Sequence, residues 1–309
     1  MMWLWIILGV LGGLIILFLV GLYIVYKGTF YTPVKGQNDD YLLTGATLEY
    51  CDVNIINNMI TEMRNIPYED AYVTSFDKKK LHARVYKNNS DTVCIMFHGY
   101  RGTPCRDFSG GAHDMIDAGF NVVLIEERGH GQSQGHSITF GVREREDAKS
   151  WIEYVKETFG EDKRIVLIGI SMGGATVLYA SDLLKEGDKV ISDCPYTTPK
   201  EVISNTLKYT LKMNPKVFYP LANLSSILFG HTNLNHMDAR DFVKNSKADI
   251  MIIHGEKDTL VPQSFSLALK EQFPDKIRYE SFPTAEHGLS YIMDKERYRS
   301  VVNDFLGIK

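Results

Sequence analysis

The least polar stretch of the chain comes first. No side chain in residues 1–26 is charged, and Trp3-Leu4-Trp5-Ile6-Ile7 through Leu19-Val20 is almost continuously apolar. About 20 such residues cross a bilayer as a helix. Trp3, Trp5, Tyr23 and Tyr26 fall near the two ends of the run, where an aromatic belt would sit. The pattern predicts a transmembrane anchor over residues 1–26. A cleaved signal peptide would want a basic start, a shorter apolar core and a small-residue cleavage site, and none is evident. Residues 27–47, with Pro33 and Gly36, read as a tether, and residues 48–309 as one large domain.

Within that domain the spacing of apolar positions changes repeatedly. Residues 48–63 are spaced as a helix, and residues 71–76 and 81–86 alternate as two strands joined at Asp77-Lys78-Lys79. Apolar runs at 92–97, 121–125, 165–168, 190–192, 250–253 and 277–282 read as further strands separated by helical segments. One of these segments repeats Ala148, Trp151, Ile152, Val155 and Phe159 on one helical face. Strands alternating with helices predict a mostly parallel central sheet with helices on both faces. In such sheets chemistry collects at the carboxyl ends of the strands. The alternation breaks at about 195–245, where short helices and loops at Pro215 and Pro220 suggest an inserted helical cap.

Composition bounds the partners. The chain has 309 residues, 44% of them hydrophobic, and a net charge of -4 without an arginine-rich or aromatic-interleaved basic stripe, so nucleic acid is not an expected partner. Cys51, Cys94, Cys105 and Cys194 show no paired or framework spacing, which fits a reducing compartment slightly better than an oxidising one. Lys27 and Lys35 follow the apolar run and nothing basic precedes it, which leans toward a cytoplasmic domain without fixing the side. His231 and His236, with Asp238 and Asp241 nearby, have no common zinc spacing, and neither a metal nor a cofactor is expected.

The chemistry centres on Gly169-Ile170-Ser171-Met172-Gly173, directly after the run at 165–168 and before the small-residue start of a helix. A serine between glycines at a strand-to-helix turn reads as a nucleophile elbow, in which strained backbone angles lift the hydroxyl clear of the sheet. A serine hydroxyl needs a base, and the base needs a carboxylate to orient it. In this arrangement the chain order is nucleophile, acid, histidine. Among nine histidines only His287 lies beyond His254, in Glu286-His287-Gly288 after the last strand. Asp258, in Gly255-Glu256-Lys257-Asp258, is the expected acid, with Glu256 and Asp193 as rivals that chain order does not separate. Two backbone N–H groups are expected to face the oxyanion, those of Met172 and of Tyr100 in His98-Gly99-Tyr100-Arg101-Gly102. His98 is read as a residue that holds this loop.

These motifs, with Arg128-Gly129-His130-Gly131-Gln132-Ser133 and His254-Gly255-Glu256-Lys257-Asp258, run in order across about residues 70 to 305. The chain resembles the α/β-hydrolase superfamily, in its serine-aminopeptidase-like and monoacylglycerol-lipase-like branch. The resemblance implies an α/β-hydrolase fold and a cofactor-free acyl hydrolase with Ser171, Asp258 and His287 as its triad. Arg128 to Ser133 is then a structural loop. Glu126-Glu127 stands where relatives often carry an aspartate, which touches local hydrogen bonding only. Ester hydrolysis is the favoured activity. A peptidase or an acyltransferase on the same triad is the alternative. Residues 202–237 hold no acid but include Lys208, Lys212 and Lys216 among many apolar residues. They suggest either a packed lid or an acyl pocket whose basic outer face meets anionic headgroups. The expected partners are thus a small or lipid-like ester and, through the anchor, a membrane.

Overall fold

A computed structural model of the chain describes residues 1–32 and 52–308. The first helix, α1 (Met2–Thr29), is followed by α2 (Val53–Asn65) and the strands β1 (Glu69–Thr74), β2 (Lys80–Tyr86) and β3 (Thr92–Phe97). Then come α3 (Pro104–Asp107), α4 (Gly111–Asp117), β4 (Asn121–Ile125), α5 (Glu144–Phe159), β5 (Arg164–Ile170), α6 (Met172–Tyr179) and β6 (Lys189–Asp193). Three helices, α7 (Pro199–Asn205), α8 (Pro215–Gly230) and α9 (Ala239–Asn245), separate β6 from β7 (Asp249–Gly255). The chain ends with α10 (Ser264–Gln272), β8 (Ile277–Phe282), α11 (Ser290–Met293) and α12 (Lys295–Leu306).

The eight strands expected from the apolar runs all form, in one sheet of order β1-β2-β4-β3-β5-β6-β7-β8. Antiparallel pairing is confined to β1 with β2 and β2 with β4, and the rest of the sheet is parallel. The period of two along each strand deals its side chains to opposite faces. From β3, Val93, Ile95 and Phe97 join Trp151 and Val155 of α5, while Cys94 and Met96 join Ile60 of α2, Met115 of α4 and Val302 of α12. Both faces are therefore dry, which is why the central strands read as apolar runs rather than alternations.

Between β6 and β7, α7 starts in a capping box, with Thr198 accepting from the Glu201 N–H and the Glu201 side chain reaching back. A π-helical turn at Thr206–Thr210 leads toward α8, which Asn214 caps and Pro215 opens. Pro220, expected in a loop, instead lies inside α8. The helix tolerates a missing bond to the carbonyl four residues back because its opposite face is packed.

At about 1.5 Å per residue, α1 is roughly 42 Å long. It is long and apolar enough to cross a membrane, and the apolar window of the helix is unburied. Its last turns dock on the sheet-bearing domain. Leu22, Tyr26 and Phe30 are buried, the Ser225 hydroxyl donates to the Leu22 carbonyl at 2.8 Å, and Tyr31 pairs with Ser137. Residues 27–32, the start of the expected tether, are thus packed rather than loose, because an aromatic run of Tyr26, Phe30 and Tyr31 finds apolar partners there. The rest of that expected tether, 33–47, lies outside the described residues, as do residues 48–51 of the expected helix.

Candidate active site

The turn between β5 and α6 leaves no room for a side chain at Gly169 or at Gly173. A Cβ on Gly169 would lie 2.1 Å from the Gly173 carbonyl oxygen, and one on Gly173 would lie 1.9 Å from that of Phe97. Ser171 takes φ 57° and ψ -111°, a region that non-glycine residues avoid. Its amide is tied to the Asp193 carbonyl at 2.8 Å, so the sheet holds the strained residue in place.

The Ser171 hydroxyl lies 2.8 Å from His287 Nε2, and His287 Nδ1 lies 2.7 Å from Asp258 Oδ2. These contacts assign one tautomer, with Nδ1–H donating to the carboxylate and Nε2 free to accept from the hydroxyl. Residues 116 positions apart in sequence thereby share one hydrogen bond. Asp258 is nearly fully buried, and its Oδ1 accepts from the Val261 N–H at 2.8 Å. Burial alone would raise its pKa, but hydrogen bonds from His254 and His287 bring the carboxyl down to about 2.

The rival acids sit elsewhere. Glu256 accepts from the Ser281 hydroxyl at the surface. Asp193 is buried beside Ser290, and burial pushes its carboxyl up to about 6. His254 is the residue that the sequence reading did not single out. Fully buried, it engages Ser266 at 2.8 Å and the Val261 carbonyl at 2.7 Å, and its Nε2 lies 3.4 Å from Asp258 Oδ2. A histidine four residues before the acid, at a strand end, was the available signal.

Tyr100 lines the cavity at Ser171, and Met172 follows Ser171 in the chain. Met172 opens α6, where unpaired N–H groups and the helix dipole favour negative charge. Among the described residues no acceptor engages the N–H of Tyr100 or of Met172. His98 holds the loop as read from the sequence, with Nδ1 donating to the Gly99 carbonyl at 2.9 Å and Nε2 accepting from the Glu127 N–H at 3.0 Å. Arg128 anchors the following loop through two 2.6 Å bonds to Asp147. Glu126 takes the Gln132 N–H at 2.5 Å and faces His82 at 2.9 Å.

A cavity of about 320 Å³ opens at Ser171 and His287. It runs under α4 and α11, between Met96, Ile168 and Ile191 of the sheet and Ile56, Met115 and Val302 of the covering helices. No residue of 195–245 lines it, so of the two readings of the inserted helices, packed lid or acyl pocket, the cavity at Ser171 does not favour the second. Their apolar residues instead meet the sheet-bearing domain, α1 or solvent. The physical reason is the position of Ser171: β5 carries Ile168 and Ile170 toward the α2–α4–α12 face, and the space opens on that side.

Ligand-type atoms of Cys194, Asp258 and His287 lie within 4.8 Å of one another. Burial drives the Cys194 thiol well above its ordinary pKa, and both His287 nitrogens are engaged. The set suits proton transfer better than metal ligation.

The strained serine turn, the mostly parallel sheet and the strand-end loops together give the chain the α/β-hydrolase fold. More narrowly, the family model described as serine aminopeptidase, S33, matches residues 88–229, and the chain is serine-aminopeptidase-like. It is 26% identical over 196 residues to the uncharacterised protein YqkD of Bacillus subtilis, covering 63% of this chain and 64% of that one, just under two thirds of the Bacillus protein. It is 28% identical over 254 residues to the uncharacterised membrane protein YNL320W of Saccharomyces cerevisiae, covering 79% and 81%. Among solved structures, the Pyrococcus furiosus esterase Pf2001 superposes with a TM-score of 0.65 at 25% identity, over 80% of this chain and 92% of that one.

Proposed function

We propose that the protein is a membrane-anchored serine hydrolase of carboxylic esters whose acyl part is apolar. The observation that carries the reading is the unbroken line from Asp258 through His287 to a strained Ser171, with bonds of 2.7 and 2.8 Å. In the mechanism, Ser171 Oγ attacks the ester carbonyl while its proton passes to His287 Nε2. The carbonyl oxygen becomes an oxyanion facing the Tyr100 and Met172 amides. Collapse breaks the bond to the alkoxy group, which leaves with the proton from His287. Water then attacks the acyl-enzyme with the same histidine as base, releasing the acid and restoring Ser171. Asp258 stays ionised throughout, held so by its hydrogen bonds.

Two further observations support substrate and setting. The cavity beside Ser171 is mainly apolar and closed by α2, α4 and α12, which suits an acyl chain longer than acetyl. On α8, exposed Val217 and Leu228 and half-buried Leu221 and Leu224 recur at helical spacing on one side, while Tyr219, Asn223, Ser226 and Gly230 occupy the buried side. An apolar outer stripe beside an apolar terminal helix fits a lipid surface, and Lys208, Lys212 and Lys216 fit its anionic headgroups. The yeast relative described as a membrane protein and the Pyrococcus relative described as an esterase agree with both halves of the proposal.

Labelling by a fluorophosphonate probe tests it. The wild-type chain is expected to label and to hydrolyse p-nitrophenyl esters, and Ser171→Ala to lose labelling and roughly 10⁴-fold or more of the turnover. Equal labelling of the variant would remove the proposal. Preference for aminoacyl arylamides over acyl esters would turn it into a peptidase.

A further inference from the structure

We infer that the last turn of α1 is a working part of the oxyanion hole, with Phe30 and the Thr29 carbonyl as positioning groups for the Tyr100 amide. This rests on the hydrolase reading above and adds to it a role for the anchor that membrane attachment does not require.

The loop that carries Tyr100 is held from two sides. Its base is fixed by the hydrolase domain, where the Gly99 N–H donates to Asp107 Oδ2 at 2.8 Å and the Gly102 N–H to the Gly99 carbonyl at 2.9 Å. Its tip is held by α1. The Tyr100 hydroxyl donates to the Thr29 carbonyl at 2.8 Å, and Arg101 Nη2 donates to the Gly28 carbonyl at 2.8 Å. The final carbonyls of a helix have no partner within it. Here the oxyanion loop supplies the partners, and a guanidinium meets the negative end of the helix dipole.

Packing closes the same contact. Phe30 is fully buried, its ring meets Phe140 edge-on at 5.8 Å, and Phe140 stacks on Tyr100 at 5.3 Å. Arg101 and Phe140 both take positive φ, 51° and 54°, in the left-handed region that favours glycine. Such backbone persists where its surroundings over-determine it. At Arg101 the surroundings include α1, and at Phe140 they are the Glu144 carboxylate, which takes the Thr139 and Gly141 N–H groups, with the Phe30 ring against the side chain. A ring, a hydroxyl and a guanidinium from the hydrolase domain thus converge on three consecutive residues of the anchor, Gly28, Thr29 and Phe30. The Tyr100 amide lies on the same residue as the hydroxyl so held. Misplacing an oxyanion donor costs catalysis, not substrate binding, because the charge it meets exists only in the transition state.

The experiment uses the full chain in phosphatidylcholine nanodiscs with p-nitrophenyl butyrate. Phe30→Ala and Tyr100→Phe are each expected to lower kcat by about 10- to 100-fold, in line with loss or displacement of one oxyanion donor, with KM changed less than about twofold. The inhibition constant of a trifluoromethyl ketone, whose adduct places an oxyanion in the same hole, is expected to rise in parallel. Phe30→Leu should recover most of kcat. Ser225→Ala, which loosens α1 at Leu22 without touching the loop, should leave kcat near wild type.

Unchanged kcat in Tyr100→Phe and Phe30→Ala, or an equal fall in Ser225→Ala, would overturn the inference. Should Phe30→Ala fail to fold, Tyr100→Phe decides alone. The two readings part cleanly: wild-type turnover with insensitive variants removes only the anchor's role, whereas wild-type protein without Ser171-dependent turnover removes both.

Discussion

Ser171 keeps a φ of 57° that costs a side-chain-bearing residue of order 1–3 kcal/mol, and its two flanking glycines make that conformation possible. Adding one carbon at Gly173 drives it into the Phe97 carbonyl, a backbone atom that has nowhere to move. Gly173→Ala is therefore expected to give protein that is unfolded or inactive, checked by thermal melting and fluorophosphonate labelling. Asp193 makes the opposite use of burial. Its folded pKa of about 6 lies above the unfolded value near 3.9, so wild-type stability falls as pH rises between the two. Asn carries no such charge. The melting temperature of Asp193→Asn relative to wild type should rise between about pH 4 and pH 7, and a pH-independent difference would contradict this. Ser171 and His287 were legible in the sequence because a turn motif and chain order single them out. Asp258 was only partly so, since Asp193 also ends a strand, and what separates them is distance to an imidazole folded in from beyond β8. His254 was hidden because a buried histidine at a strand end looks like part of the strand.

Among elements, the buried strands announced themselves as apolar runs, since covering both faces of a sheet removes any polar alternation. α8 misled for a related reason. Pro215 and Pro220 looked like punctuation, yet the helix continues through Pro220 because packing of Tyr219, Ala222 and Asn223 outweighs the lost bond. Its apolar residues looked like pocket lining and instead pack on the sheet-bearing domain and α1 or face solvent. The contacts of α8 with α1 rise together, Ser225 with Leu22 and Phe229 with Tyr23 and Tyr26. The two helices therefore run the same way, and the amino-terminal half of α8 points back toward the apolar part of α1. Val217, in the amino-terminal half of α8, is 54% exposed and Leu267 42%. In nanodiscs, a spin label at 217 should be reached better by oxygen than by a water-soluble nickel relaxant, and a label at 267 on α10 should behave the reverse way. Water-like accessibility at both positions would detach α8 from the bilayer while leaving α1 as the anchor.

For the whole molecule, the sheet separates two jobs. Tyr26 and Phe30 at the end of α1 join the apolar cluster on one face, while the other face, under α2, α4 and α12, opens into the cavity at Ser171. Turnover of p-nitrophenyl esters is expected to rise from acetate to medium acyl chains, because the cavity walls are mostly apolar. A profile that peaks at acetate would reject the acyl assignment to this cavity. The sequence by itself determined the order of strands and helices, the apolar terminal helix and the strained serine turn. Each of these depends on local periodicity or on sterics within five residues. Only the tertiary structure decided which carboxylate meets His287, which face of the sheet holds the cavity, and that the end of α1 touches the loop carrying Tyr100. Those relations join residues 29 to more than 100 positions apart, and a chain brings such residues together through packing that no local pattern records.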